Sequence, residues 1–465
     1  MTDFDVIVLG AGPGGYVAAI RSAQLGKTVA VIEEKFWGGV CLNVGCIPSK
    51  ALLRSAEFAH LLAHEKQKFG ITGDAGVDFG ESWKRSREVA DASAAGVHYL
   101  MRKNGITEIS GRGVISGPGA LEVRAEDGSV GSYGFSDLIV AVGATARLIP
   151  GVELSQNVLT YEELILSDRL PESIVIGGSG AIGVELAYLL KSFGTDVTIV
   201  EFAERVVPTE DAAISAELLR QYRKLGIDVR VSTAVQSVKD TGSGVDVVTT
   251  GVSNGDSEVL SADKFLAAFG FTPRTQGFGL EAAGVQLTDA GAIAVDSRGR
   301  TNVHGIYAVG DCTGKMMLAH TAEAMGVVAA ETIAGANTME LDFDMIPRAT
   351  FCQPQIASFG FSEEEAVDRG FDVAVASFPF MANGKARGIG QTEGFVKIVA
   401  NAQNKELLGA HMIGPEVTEL LPALTLAQQW HLSADEVARN VFAHPTLSEA
   451  VKEAVEGIAG HMINL

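Results

Sequence analysis

The chain is 465 residues long and 47% hydrophobic, and its 57 acidic against 36 basic side chains leave a formal net charge of −21. Such a balance argues against nucleic acid or any other polyanion as a partner. The length allows roughly two to four domains with ample cores, so the four cysteines are not needed as stabilising cross-links.

The opening "MTDFDVIVLGAGPGG" runs from acidic residues into a strand and lacks the charged n-region and cleavage site of a secretory signal. The most apolar stretches, near Leu138 and Ile174, are short and broken by glycine, whereas a membrane span needs about 20 consecutive apolar residues. The expectation is a cytoplasmic protein without a membrane span.

One unit is written twice. "DVIVLGAGPGGYVAAIRSAQLGKTVAVIE" begins at Asp5 and "IVIGGSGAIGVELAYLLKSFGTDVTIVE" at Ile174. Each reads as strand, glycine-rich turn, alanine-rich helix, second strand and acid. The G-x-G-x-x-G glycines are Gly10, Gly12 and Gly15, then Gly178, Gly180 and Gly183; the closing acids, Glu33 and Glu201, each lie 18 residues after the last glycine. In such a unit the first glycine permits the turn, the second lets a pyrophosphate approach the backbone, and the third lets helix and strand pack closely. The helix N-terminus then receives the phosphates. Two copies in the same context predict two dinucleotide sites. A carboxylate at Glu201 disfavours a 2′-phosphate, so NAD is expected over NADP, although Arg205 lies close enough in sequence to temper this.

Between the copies stands "GGVCLNVGCIPSK", with Cys41 and Cys46 five positions apart. On an ideal helix their Cα atoms would be roughly 8.6 Å apart, beyond the approximate 7 Å limit for a disulfide, so the backbone must tighten. Asn43 and Gly45 tolerate unusual dihedrals, and Pro48 suits the first turn of a helix through "SKALLRSAEFAHLLAHE". A bond closing so small a loop stabilises little. A zinc site lacks two further ligands, since neither Cys312 nor Cys352 sits in a paired motif. The remaining reading is a redox-active pair, with a helix N-terminus and Lys50 available to lower a thiol pKa.

After Glu201, strand-like runs at 229–231, 245–249 and 264–269 alternate with turns, and "RTNVHGIYAVGDCTG" reads as turn, buried strand and a loop carrying Asp311. Beyond Leu341 the plan changes to strands separated by polar turns, with helices over 418–430 and from Ser448 to the end, which predicts an α+β terminal domain. Boundaries are expected at the Pro150–Gly151 turn, near Phe271–Pro273 and around 334–341. In "FAHPTLSEAVKEA", His444 precedes Glu449 by five residues. Dithiol chemistry needs a base near neutrality, but Thr446-x-x-Glu449 is equally a capping box for the last helix, and the residues alone leave both readings open. His320, His411 and His461 are expected to be structural.

Taken together, "GGVCLNVGCIPSK", the order of the two units, "TNVHGIYAVGDCTG", "LAHTAEAMG" and "HPTLSE" resemble the flavin-dependent pyridine nucleotide–disulfide oxidoreductases over essentially the whole chain. The "NVGCIPSK" form is most similar to the branch that oxidises dihydrolipoyl groups. The resemblance implies an α/β fold of two Rossmann-like domains plus an α+β C-terminal dimerisation domain. Residues 1–150 would form the first part of the FAD-binding domain, 151–272 the NAD-binding domain, 273–345 the return segment and 346–465 the dimerisation domain.

It further implies FAD at Gly10, Gly12, Gly15 and Glu33, with Lys50 near the flavin ring and Asp311 on the ribityl chain or phosphates. NAD would bind at Gly178, Gly180, Gly183 and Glu201, and Glu185 would pair with Lys50. Gly143, Gly270, Gly310 and Ala319 would add cofactor contacts. Cys46 would be the sulfur in charge-transfer contact with the flavin, Cys41 the one exchanging with substrate, and His444, oriented by Glu449, the base serving the other subunit of a homodimer.

A lipoyl-bearing acyltransferase of a 2-oxoacid dehydrogenase complex would be the partner. "AVGA" at 141–144 and Met325 depart from the family pattern without touching the redox groups. The competing expectation is an NAD(P)H-dependent reductase of a glutathione- or mycothiol-type disulfide, against which Glu201 argues. A mercuric reductase would need the terminal cysteine pair that "GHMINL" lacks, and a flavin-binding scaffold would not need both cysteines, Lys50, Glu185, His444 and Glu449.

Overall fold

The computed structural model describes residues 2–465. The first unit opens with β1 (Thr2–Leu9), α1 (Pro13–Gln24) and β2 (Val29–Glu33). Val6 to Leu9 and Val29 to Ile32 are at most 3% exposed, the continuous apolar run expected of parallel strands covered on both faces. A short helix α2 (Gly39–Asn43) and the longer α3 (Cys46–His60) follow, then the long α4 (Phe79–Lys103). The strands β3 (Thr107–Ser110), β4 (Arg112–Gly117), β5 (Ala120–Arg124) and β6 (Val130–Val140) complete a sheet of order β3-β2-β1-β6-β5-β4, with Ile306–Ala308 added beside β6.

The second unit repeats the first. Its five-stranded sheet pairs Ser173–Gly177 in parallel with Asp196–Val200 and with Lys264–Ala267, and carries the helix Ala181–Ser192 after Gly180. A three-stranded antiparallel meander, Thr233–Asp240, Val245–Gly251 and Ser257–Ala262, follows it. The chain leaves the first unit through Ala144–Ala146 and returns through Phe271–Pro273, and these two strands pair antiparallel. The C-terminal region is a five-stranded antiparallel sheet, Arg348–Thr350, Gln355–Gly360, Leu407–Gly414, Phe395–Asn401 and Val373–Pro379 in that spatial order. Lys397 of this sheet reaches Asp211 of the second unit at 3.0 and 2.9 Å in a buried ion pair. Burial opposes the charge on Asp211, but hydrogen bonds from Lys397 and the Ala213 N–H, with the nearby positive charge, together outweigh it and hold the carboxyl below its usual range. Among the described residues no helix is long and apolar enough to cross a membrane.

Several local expectations change. Asn43 is the helical last residue of α2, its side-chain amide bonded to the Trp37 and Gly39 carbonyls, so Val44 and Gly45 supply the irregular backbone. The helix expected to run through residue 65 turns from α to π geometry at Leu61–Glu65. The last helix spans Glu449–Ile458 rather than reaching the terminus: Gly460 takes φ +88°, and the tail folds back so that Ile463 and Asn464 donate to the Glu453 carboxylate at 3.0 Å. The predicted 418–430 helix divides into a 3₁₀ turn at Val417–Glu419 and a helix at Leu421–Gln429.

Candidate active site

The two glycine turns are wired alike. Gly10 and Gly178 adopt φ +106° and +104°, a region that costs a side chain energy. The Ala11 N–H donates to Glu33 at 2.8 Å, and the Ser179 N–H to Glu201 at 2.8 Å. The second oxygen of each acid takes the chain beyond it, Lys35 and Phe36 in one copy and Ala203 in the other. The closing acid therefore ties the end of the second strand to the glycine turn. Arg205, close to Glu201 in sequence, is paired with Glu364 at 3.1 Å.

The glycines divide into two kinds. A Cβ at Gly15 would overlap the Gly10 carbonyl, and one at Gly183 the Gly178 carbonyl. Those glycines serve the chain's own packing. A Cβ at Gly12 would meet nothing nearer than the Gly39 Cα at 3.8 Å, and one at Gly180 nothing within 4 Å. Protein packing gives no reason for glycine there, whereas a phosphate group seated on the following helix start does. Gly15→Ala is expected to destabilise the fold by about 1–3 kcal/mol in denaturant titration. Gly12→Ala should stay folded by circular dichroism and lose FAD from the purified protein.

Around the first turn the chain gathers other predicted residues. Ala141, after β6, donates to the Leu9 carbonyl at 2.8 Å, and Val309 donates to the Val140 carbonyl at 3.0 Å. Gly143 and Gly310 adopt φ +73° and +72° at these strand ends, and Asp311 lies in the 3₁₀ turn Gly310–Thr313. Burial pushes the Asp311 carboxyl up to about 6, with no protein cation offsetting it. An acceptor so placed suits the hydroxyls of a bound cofactor, so the donor set fits FAD. Ala319 is the first residue of the helix Ala319–Ile333, which packs on α1. Gly270, at φ +94°, accepts from Arg147 at 2.9 Å where the chain returns from the second unit.

The cysteines sit on different helices. Cys41 is inside α2, Cys46 is the first residue of α3, and the break between them is made by Val44 and Gly45. A Cβ at Gly45 would press on the Val40 carbonyl at 2.9 Å, so the tightening that the spacing demands is made at that glycine. The two thiols interact: sharing a proton with Cys41, helped by Lys50 and opposed by burial, lowers the Cys46 pKa, and the same sharing with burial raises that of Cys41. The helix N-terminus adds to the preference for a thiolate on Cys46. Cys312 and Cys352 are fully buried, and burial pushes their thiols up, Cys312 to about 12.

Lys50, one turn along α3, meets Glu185 of the second unit at 2.9 and 3.1 Å. Glu185 is 6% exposed and takes a third hydrogen bond from the Phe351 N–H at 2.8 Å. Helix α4, which the sequence did not announce, braces this region: Arg87 donates to the Asn43 carbonyl at 2.7 Å, Arg85 to Ala51 at 3.3 Å, and the Trp83 indole to Ile165 at 3.2 Å. Neither Phe351 nor Arg87 belongs to a motif, and no spacing in the sequence signals them.

His444 lies before the last helix with its Nδ1 2.9 Å from Glu449 and its side chain 76% exposed. The capping box is realised in half, the Thr446 N–H donating to Glu449 at 2.9 Å. Ser448 is the N-cap, Glu449 is the first helical residue, and the Thr446 hydroxyl donates to Ala443 instead. Burial works to raise the Glu449 pKa, but hydrogen bonds from the Thr446 N–H and His444 outweigh it and hold the carboxylate low. Of the other histidines, His411 is buried against the Phe361 carbonyl at 2.9 Å, burial pushing it down to about 4, and His320 lies 2.7 Å from the Pro347 carbonyl.

Residues 4–326 match the pyridine nucleotide-disulphide oxidoreductase family and residues 346–455 its dimerisation domain. The chain belongs to this family. A protein of Mycobacterium tuberculosis named dihydrolipoyl dehydrogenase is 56% identical over 465 residues, covering 100% of both chains. One of the same name from Corynebacterium glutamicum is 53% identical over 464 residues, 99% of each. The crystal structure of LpdA from Mycobacterium tuberculosis superposes with a TM-score of 0.91 at 28% identity, over 98% of this chain and 100% of that one. The chain is an oxidoreductase whose cofactors are FAD and NAD, with two Rossmann-like domains and a C-terminal dimerisation domain.

Proposed function

We propose that the chain oxidises dihydrolipoyl groups and delivers the electrons to NAD⁺. The observation that carries this reading is the end-to-end identity of 53–56% with proteins named dihydrolipoyl dehydrogenase, joined to a cysteine pair that sits at a helix start beside Lys50.

In the oxidised pair, a thiolate of the substrate attacks the Cys41 sulfur. The Cys41–Cys46 bond breaks and Cys46 departs as thiolate, the better leaving group because its pKa is the depressed one. The second substrate sulfur then attacks the substrate sulfur joined to Cys41, closing the lipoyl disulfide and releasing Cys41. The substrate has lost two electrons and two protons, and the cysteine pair has gained the two electrons. His444 of the partner subunit takes one substrate proton, its imidazole oriented by the low-pKa carboxylate of Glu449, and the other ends on the released Cys41, whose raised pKa keeps it a thiol. Bound FAD supplies the acceptor for the electron pair and the route to NAD⁺.

In this reading residues 1–150 and 273–345 carry FAD, 151–272 carry NAD and 346–465 form the dimer. Gly10, Gly12, Gly15, Glu33, Gly143, Gly310, Asp311 and Ala319 serve FAD, and Gly178, Gly180, Gly183, Glu201 and Gly270 serve NAD. Lys50 would lie near the flavin, held there by Glu185 of the NAD-carrying unit. The exposed imidazole of His444 supports a site completed across the dimer, and a lipoyl group on a swinging acyltransferase arm is the substrate such a site admits. Purified enzyme given dihydrolipoamide and NAD⁺ should form NADH. NADPH-dependent reduction of a glutathione- or mycothiol-type disulfide without that activity would overturn the proposal.

A further inference from the structure

Lys50 has a long, flexible side chain, and its ammonium is a point charge free to seek any nearby carboxylate. On one side it faces Glu185. On the other lies a cavity of about 420 Å³ whose lining includes Lys50, Glu57, Phe351, Glu416 and Glu419. Glu57 is engaged by Arg54 and by the Gln353 amide, which leaves Glu416 and Glu419 as competing anions on the cavity wall. Glu416 is held at φ +49°, an uncommon conformation for a residue with a side chain.

Phe351 touches both environments. It follows the strand Arg348–Thr350 of the C-terminal sheet, its N–H donates to Glu185 Oε1 at 2.8 Å, and its ring centroid lies 4.6 Å from Lys50 Nζ. The segment is anchored to α3 by Gln353, whose amide donates to Glu57 at 3.0 Å.

We propose that Phe351 is a positioning residue for the Lys50–Glu185 pair. Its backbone orients the carboxylate, and its ring confines the ammonium and screens it from Glu416 and Glu419. The C-terminal domain thereby sets the geometry at which electrons pass between the cofactors. This rests on the role proposed above for Lys50 and Glu185.

The backbone and ring contributions separate cleanly, because any residue but proline keeps the N–H to Glu185. Phe351→Leu and Phe351→Met remove only the ring. Measured on the FAD-loaded dimer with dihydrolipoamide and NAD⁺, kcat should fall about fivefold, the factor for losing a partly exposed cation–π contact, with the KM for dihydrolipoamide unchanged. Phe351→Tyr, which keeps the ring, should restore kcat to within about twofold of the parent. Adding Glu416→Gln and Glu419→Gln to Phe351→Leu should recover part of the loss, which a merely structural role for the ring would not allow. FAD content and dimer mass are read on every variant, and Phe351→Met, nearest in shape, decides if Phe351→Leu loses FAD.

Parental kcat in both ring-less variants overturns the proposal, as does failure of the glutamine substitutions to recover activity. Lys50→Met tells the two readings apart. If it too turns over normally, the role given to Lys50 is wrong; if it is impaired while the ring-less variants are not, only the role of Phe351 falls.

Discussion

Cys46→Ser is expected to lower NAD⁺-linked oxidation of dihydrolipoamide by on the order of 10⁴-fold or more, with FAD still bound. No sulfur then remains at the start of α3 to leave as thiolate or to pass electrons onward. Cys41→Ser should be equally inactive yet look different. Its hydroxyl can still donate to Cys46, which keeps Lys50 and the helix N-terminus beside it. The Cys46 thiolate should therefore survive and give a long-wavelength charge-transfer band with the flavin. The sign of its pH dependence follows from the depressed Cys46 pKa. The charged form is present above that lowered value and is lost as pH falls through it, so the band should fade on acidification. Visible absorbance of the two variants across pH checks this, and indistinguishable spectra would remove the assignment of unequal roles to the two sulfurs.

Dimers made of one Cys46→Ser chain and one His444→Ala chain should be active although each parent variant is not. In a two-fold dimer with composite sites, one site of the hybrid has lost both groups and the other keeps a native cysteine pair facing a native His444 of the partner subunit. Hybrid dimers, isolated with two different affinity tags, should recover about half the parental activity per dimer. The His444→Ala homodimer alone should fall by about 10²–10⁴-fold, the range for losing a positioned acid–base group. Inactive hybrids would place cysteines and base in the same chain. The exposed imidazole and its 2.9 Å contact with Glu449 favour the outcome in which activity returns.

Both results depend on features legible to different degrees in the chain. The two glycine turns and their closing acids could be read directly, because a strand, a turn and a helix start are local structures whose requirements recur at fixed spacing. The structure adds that the acids bond the turns themselves, Glu33 to Ala11 and Glu201 to Ser179. The cysteine pair was legible as chemistry, since five-residue spacing on one helix could not bring the sulfurs together. Which residue would relieve it was open, and Gly45 rather than Asn43 does so because a Cβ there has no room beside the Val40 carbonyl.

Helix α4 is hard to read in the sequence for a physical reason: its buried stripe is at helical spacing, but three of the five buried residues, Ser82, Ser86 and Ala90, are small, so large apolar side chains do not mark it. Arg87 and Phe351 could not have been found in any window of sequence, because each acts on a partner far along the chain, through the Asn43 carbonyl and the Glu185 carboxylate. By itself the sequence determined the two nucleotide units, the redox pair and the candidate base, all of which are carried by short-range spacing. Only the tertiary structure decided that Lys50, Glu185 and Phe351 converge from three separate regions, because close contact between distant segments is set by how domains dock and not by the order in which residues are written.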